Sequence, residues 1–80
     1  MKTTQYFDHV RKRPDRAIIT DAWIKEVIDN VIETRVQADA KFKKWAFIKD
    51  VGRFLRVILL EDGETVHNAF FDRGYTEKGI

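Results

Sequence analysis

The chain contains no cysteine, so neither a disulfide framework nor a thiolate metal site can stabilise it. It has a single proline, Pro14, and four glycines, so turns and helix ends are punctuated at few places. No stretch approaches the ~20 apolar residues of a membrane span. The opening Met1-Lys2-Thr3-Thr4-Gln5 leads into a polar segment rather than the apolar core of a signal peptide, so a cytoplasmic location and no membrane partner are expected. There is no glycine-rich phosphate loop, no Ser-His-Asp spacing and no dinucleotide fingerprint. Two histidines, His9 and His67, do not make a metal site by themselves, and no metal and no cofactor are expected.

What the chain does have is enough apolar material for one small core. Its 80 residues are 44% hydrophobic and 12% aromatic, too apolar for a disordered chain, and they make a single domain over residues 1–80. A domain this small buries only about 60% of its unfolded surface, so its stability is marginal. The net charge is +2, but the charges are segregated. Residues 9–16 read His-Val-Arg-Lys-Arg-Pro-Asp-Arg and residues 41–44 read Lys-Phe-Lys-Lys, whereas acids gather at Asp21, Glu26, Asp29 and Glu33 and again at Glu61, Asp62 and Glu64. Basic clusters of this kind attract phosphates or an acidic partner, and are also what a solvated surface carries.

Apolar spacing predicts a helix over residues 4–13, stopped near Arg13 by Pro14. A second, amphipathic helix starts at the N-cap Thr20, with a stripe of Ile24, Val27, Ile28 and Val31 and Trp23 beside it. The pattern then changes to strands over residues 34–39, 42–48, 53–60 and 65–73, with turn signals at Asp50-Val51-Gly52 and Asp62-Gly63. The tail over residues 74–80 is expected to fray. The fold class expected is α+β: two N-terminal helices packed on one face of a four-stranded antiparallel β-meander.

A two-residue Asp62-Gly63 loop pairs Leu60 with Thr65, Leu59 with Val66, Ile58 with His67 and Leu55 with Phe70. A three-residue turn at Asp50-Val51-Gly52 extends the register. Trp45, Phe47, Leu55, Val57, Leu59, Val66 and Phe70 then form the core face, and Lys44, Ala46, Ile48, Arg56, Ile58, His67, Ala69 and Phe71 the open face. Asp72 is expected to pair with Arg53 in a structural role. A slip of one residue would exchange the two sets.

In this register Lys44, Arg56 and His67 project from three adjacent strands of one face. A histidine exchanges protons near neutral pH, and Lys and Arg stabilise charge on a phosphate. The trio is therefore a candidate catalytic group for metal-independent RNA cleavage, and equally a set of polar side chains on a solvated sheet. His9, Arg11, Arg13, Lys43 and Arg73 are candidate nucleic-acid contacts, with apolar ground at Ile48, Phe54 and Phe71 for stacking an unpaired base.

Residues 9–16, followed by Ile-Thr-Asp-Ala-Trp-Ile-Lys-Glu-Val-Ile (19–28), Val-Gln-Ala-Asp (36–39) and Arg-Val-Ile-Leu-Leu-Glu-Asp-Gly-Glu-Thr-Val-His-Asn-Ala-Phe-Phe-Asp-Arg (56–73), resemble a small family of uncharacterised bacterial proteins. That family is similar to the BrnT and RelE-like toxins. The resemblance implies a compact RelE-like fold, RNA or the ribosome as target, a small antitoxin as partner and no metal, with His67, Lys44, Arg56 and Arg73 as the positions carried across. The family pattern has proline where Val31 stands and glycine where Ala40 stands; alanine suits a positive φ poorly, so a longer first hairpin loop is expected. The alternative to an RNA-cleaving toxin is a non-catalytic protein-interaction module or homodimer that uses the open face or the edge strand over residues 34–39.

Overall fold

The computed structural model describes residues 1–75. It is an α+β fold in which three short helices precede a four-stranded antiparallel sheet of order β1-β2-β3-β4. The helices are α1 (Gln5–Val10), α2 (Pro14–Ala17) and α3 (Asp21–Asp29), and the strands are β1 (Glu33–Val36), β2 (Phe42–Ile48), β3 (Arg53–Leu59) and β4 (Val66–Phe71). Among the described residues no helix is long and apolar enough to cross a membrane.

The helical region differs from the expected pair. Thr4 caps α1 by accepting the Phe7 amide, and α1 ends at Val10. Pro14 then starts a helix instead of only stopping one: it occupies the first turn of α2, where its fixed φ fits and its missing N–H is no loss. Thr20 caps α3 as its sequence predicts, accepting the Trp23 amide. Ile24 and Val27 are buried, but Val31 falls beyond the helix and is exposed.

One core joins Phe7, Ile19, Ile24 and Val27 of the helical region to Ala46, Ile48, Leu55, Val57, Leu59, Val66 and Ala69 of the sheet. The β3 half of this face matches the sequence-based assignment. The β2 half is inverted, because Ile48 pairs with Arg53, Ala46 with Leu55 and Trp45 with Arg56. The connecting loop has four residues, 49–52, closed by the Gly52 amide donating to Ile48 O, and Gly52 takes a φ of 62°. A three-residue turn misses by one, and one residue changes the face of every side chain.

β4 contains a second correction. Leu59 pairs with Val66 as expected, but Ile58 pairs with Asn68, Val57 with Ala69 and Leu55 with Phe71. His67 is the extra residue of a β-bulge. The Val66 amide donates to Lys2 O and Val66 O accepts the Thr4 amide, so the start of β4 is held on its outer side by the N-terminal segment. The bulge lets Val66 and Ala69, three residues apart, both enter the core. The turn before β4 is fixed by Asp62, whose carboxylate accepts the Glu64 and Thr65 amides and the Thr65 hydroxyl. Those bonds hold its pKa down at about 2.

The β1–β2 loop spans residues 37–41, and Ala40 sits there at a φ of 68°. An L-residue in this region is strained by ~1–2 kcal/mol, part of which glycine would give back through its freer unfolded chain. Ala40→Gly is expected to stabilise the fold by ~0.5–1 kcal/mol, read as a higher urea midpoint with unchanged slope. An unchanged or lower midpoint would show that the loop does not hold this conformation.

Candidate functional site: the open face of the sheet

The face opposite the core carries Glu33 and Arg35 from β1, Lys43, Trp45 and Phe47 from β2, Phe54, Arg56 and Ile58 from β3, and Asn68 and Phe70 from β4. Its centre is Trp45, only 1% exposed although it lies outside the helix-covered core. The indole is enclosed by side chains of its own face. The guanidiniums of Arg35 and Arg56 lie 5.2 and 5.1 Å from the ring centroid, Lys43 Nζ lies at 5.9 Å, and Tyr75 stacks on the ring at 5.0 Å. These are cation–π distances for an electron-rich indole.

Asp72 secures this cluster. Its carboxylate accepts Trp45 Nε1–H at 2.9 Å and two bonds from Arg56, from Nε at 3.0 Å and Nη2 at 2.6 Å. The expected Asp72–Arg53 pair is therefore replaced by Asp72–Arg56, a result of the shifted β4 register. Arg53 instead lies over Phe71. Burial, the largest single influence on Asp72, raises its pKa. The hydrogen bonds from Trp45 and Arg56, the Arg56 charge and the Gly74 amide together outweigh burial and hold the carboxyl below its ordinary 3.8.

Aromatic rings continue from this centre. Trp45 meets Tyr75, Tyr75 meets Phe54 edge-on at 5.0 Å, and Phe54 meets Phe47 edge-on at 5.2 Å. On the other side Arg56 lies between Trp45 and Phe70, 5.0 Å from the latter ring. Phe47 is 45% exposed. The Tyr75 hydroxyl donates to Glu33 Oε1 at 2.8 Å, and Glu33 also accepts from Arg35. Tyr75, placed in the fraying tail by sequence, is thus held by two strands; residues 76–80 of that tail lie outside the described residues.

The structure does not bring Lys44, Arg56 and His67 together. Lys44 pairs with Val57 and shares its face, so it lies on the opposite side of the sheet from Arg56. His67 sits at the bulge, with Nδ1 3.1 Å from Thr4 Oγ1 and its ring stacked on Tyr6 at 5.0 Å. The same Thr4 hydroxyl oxygen accepts the Phe7 amide at 3.1 Å. His67 therefore fastens α1 to β4.

Of the other candidate contacts, Lys43 alone belongs to the Trp45 cluster. His9 and Arg13 are exposed in the helical region, and Arg11 pairs with Asp21 beneath the Phe7 ring contact. Arg73 lines a pocket at the end of β4 with Arg16 and Arg53. Sequence reasoning missed Trp45, Phe47 and Tyr75 as open-face residues; a glycine of positive φ at position 52 ends a three-residue and a four-residue loop alike, so the sequence carried no signal that separates the two registers. No family model matches the chain, and no curated protein and no solved structure matches it.

Asp72→Asn is expected to lower stability by about 2 kcal/mol near neutral pH, because Trp45 Nε1–H and Arg56 lose a charged acceptor. A carboxylate whose folded pKa is depressed adds stability that is fully present above its unfolded pKa and is lost as pH falls through the folded value. The deficit of the variant should therefore shrink below about pH 4, measured by urea unfolding across the acid range. A deficit that does not change with pH would mean that the Asp72 charge contributes nothing.

Proposed function

We propose that the chain is a toxin-like RNA-binding protein whose open sheet face takes single-stranded RNA. The observation that carries this reading is the aromatic run Phe47–Phe54–Tyr75, with the Phe47 ring exposed, beside the Arg35, Lys43 and Arg56 side chains that cover Trp45 on the same face. Aromatic faces stack unpaired bases without regard to sequence, and neighbouring cations meet the backbone phosphates. An antiparallel sheet with one face covered by a helix leaves its other face free for such a platform. Because Lys44 lies on the opposite side from Arg56, the proposal is for binding and assigns no cleavage chemistry to the trio. The RelE-like affinity and a small acidic antitoxin that covers the same cationic face belong to this proposal.

A second reading has its own observation. β1 is an outer strand of the sheet and Val36 on it is 65% exposed, a combination that favours pairing with another strand. A second copy adding across β1 would make a homodimer with one continuous sheet.

Binding of labelled single-stranded RNA should be measured by fluorescence anisotropy at several salt concentrations. Phe47→Ala, at an exposed ring, is expected to weaken binding by ~1–3 kcal/mol, roughly 5- to 150-fold. Lys43→Ala should lower the salt slope by ~0.7. Lys44→Ala, on the other face, should change neither. Wild-type affinity in Phe47→Ala and Lys43→Ala would remove the open face as the binding surface. For the edge reading, light scattering should give a dimer that Val36→Lys converts to a monomer; a monomeric wild type at all concentrations would rule it out.

A further inference from the structure

We infer that the C-terminal end of β4 holds a pocket for the terminal phosphate of an RNA strand; the choice of RNA as its carrier rests on the reading above. Arg16, Arg53 and Arg73 line one shallow pocket of about 260 Å³ with Asp15, Phe70 and Phe71. Three guanidiniums against one carboxylate leave a formal charge of +2 around a small space. A phosphomonoester carries about −1.5 to −2 near neutral pH, whereas a diester in mid-strand carries a single charge, so the pocket matches the monoester.

The pairing of the arginines singles out this place. Arg11, Arg16, Arg35 and Arg56 each have a carboxylate partner. Arg13, Arg53 and Arg73 have none among the described residues, and two of those three face this one pocket. Arg16 is positioned in advance: Nη1 donates to Asn68 Oδ1 at 2.6 Å, and the guanidinium lies 5.2 Å from the Phe70 centroid. Arg53 is laid over Phe71 at 5.4 Å. A guanidinium fixed against an aromatic ring loses less freedom on binding a phosphate than one that waves in solvent, and its fork matches two phosphate oxygens.

The pocket also adjoins the middle of the aromatic row, at Phe54 and Tyr75. A neighbouring pocket of about 260 Å³ shares Arg53, Phe71 and Arg73 and is lined by Phe54 and Tyr75. The last base of a strand on the open face would rest against those rings and its terminal phosphate would reach the arginines.

The test uses RNA oligomers of one sequence, labelled at one end and carrying phosphate or hydroxyl at the other, in both polarities. The phosphate-ended form of one polarity is expected to bind about tenfold tighter, and the double variant Arg53→Gln/Arg73→Gln to abolish the difference. Asp15→Asn should widen it. In parallel, adenosine 5′-monophosphate should shift the amide resonances of Gly52, Arg53, Arg73 and Gly74, and adenosine should not. Those shifts without binding of either oligomer would uphold the pocket while the RNA reading fails. Equal affinities together with no shifts would overturn the pocket. Binding of a phosphoserine peptide where neither oligomer binds would overturn RNA as the carrier.

Discussion

A sheet with one face under a helix has to keep its other face ordered without a second layer, and here a single carboxylate does most of that. Asp72 stands just past β4, yet it binds Trp45 on β2 and Arg56 on β3. Without an acceptor for Nε1–H, an indole this deeply enclosed would carry an unsatisfied donor, which costs about 1–3 kcal/mol. With it, the ring becomes a floor on which Arg35, Lys43, Arg56 and Tyr75 assemble. The long stems of these cations supply the apolar cover that a second helix layer would otherwise provide.

The two faces consequently differ in kind. The covered face is aliphatic, built on Leu55, Val57 and Leu59 against Ile24 and Val27. The open face is aromatic and cationic, and much of its positive charge is tethered: Glu33 holds Arg35, and Asp72 holds Arg56. Lys43, Arg53 and Arg73 have no carboxylate partner among the described residues. On the proposed reading such an ordered surface needs little immobilisation on binding, and pre-organisation of that kind improves affinity.

The order of elements was legible in the sequence, because caps and periodicity are local. Thr20 announced α3, the β-branched run announced β3, and Asp62-Gly63 announced the last turn. The meander topology followed from short connections. Face assignment was not legible in the same way, since it depends on loop length to the single residue. Gly52 closes a four-residue loop, not a three-residue one, and His67 is an unpaired insertion whose cause lies in contacts of Val66 with residues 2 and 4, more than sixty positions away in sequence. The candidate site suffered accordingly: Arg56 stayed on the open face, whereas Lys44 and Trp45 exchanged sides.

The bulge at His67 and the loop over residues 49–52 together act as a parity code. Substitutions can alter either face independently, because no point change moves a side chain through the sheet. A single insertion or deletion between Phe42 and Phe71 would do so for a whole strand, turning Ala69 and Phe71 outward and Asn68 and Phe70 inward, for example. The quantity this meander can least vary is therefore its length, and chemical variety at its surface has to arise one side chain at a time.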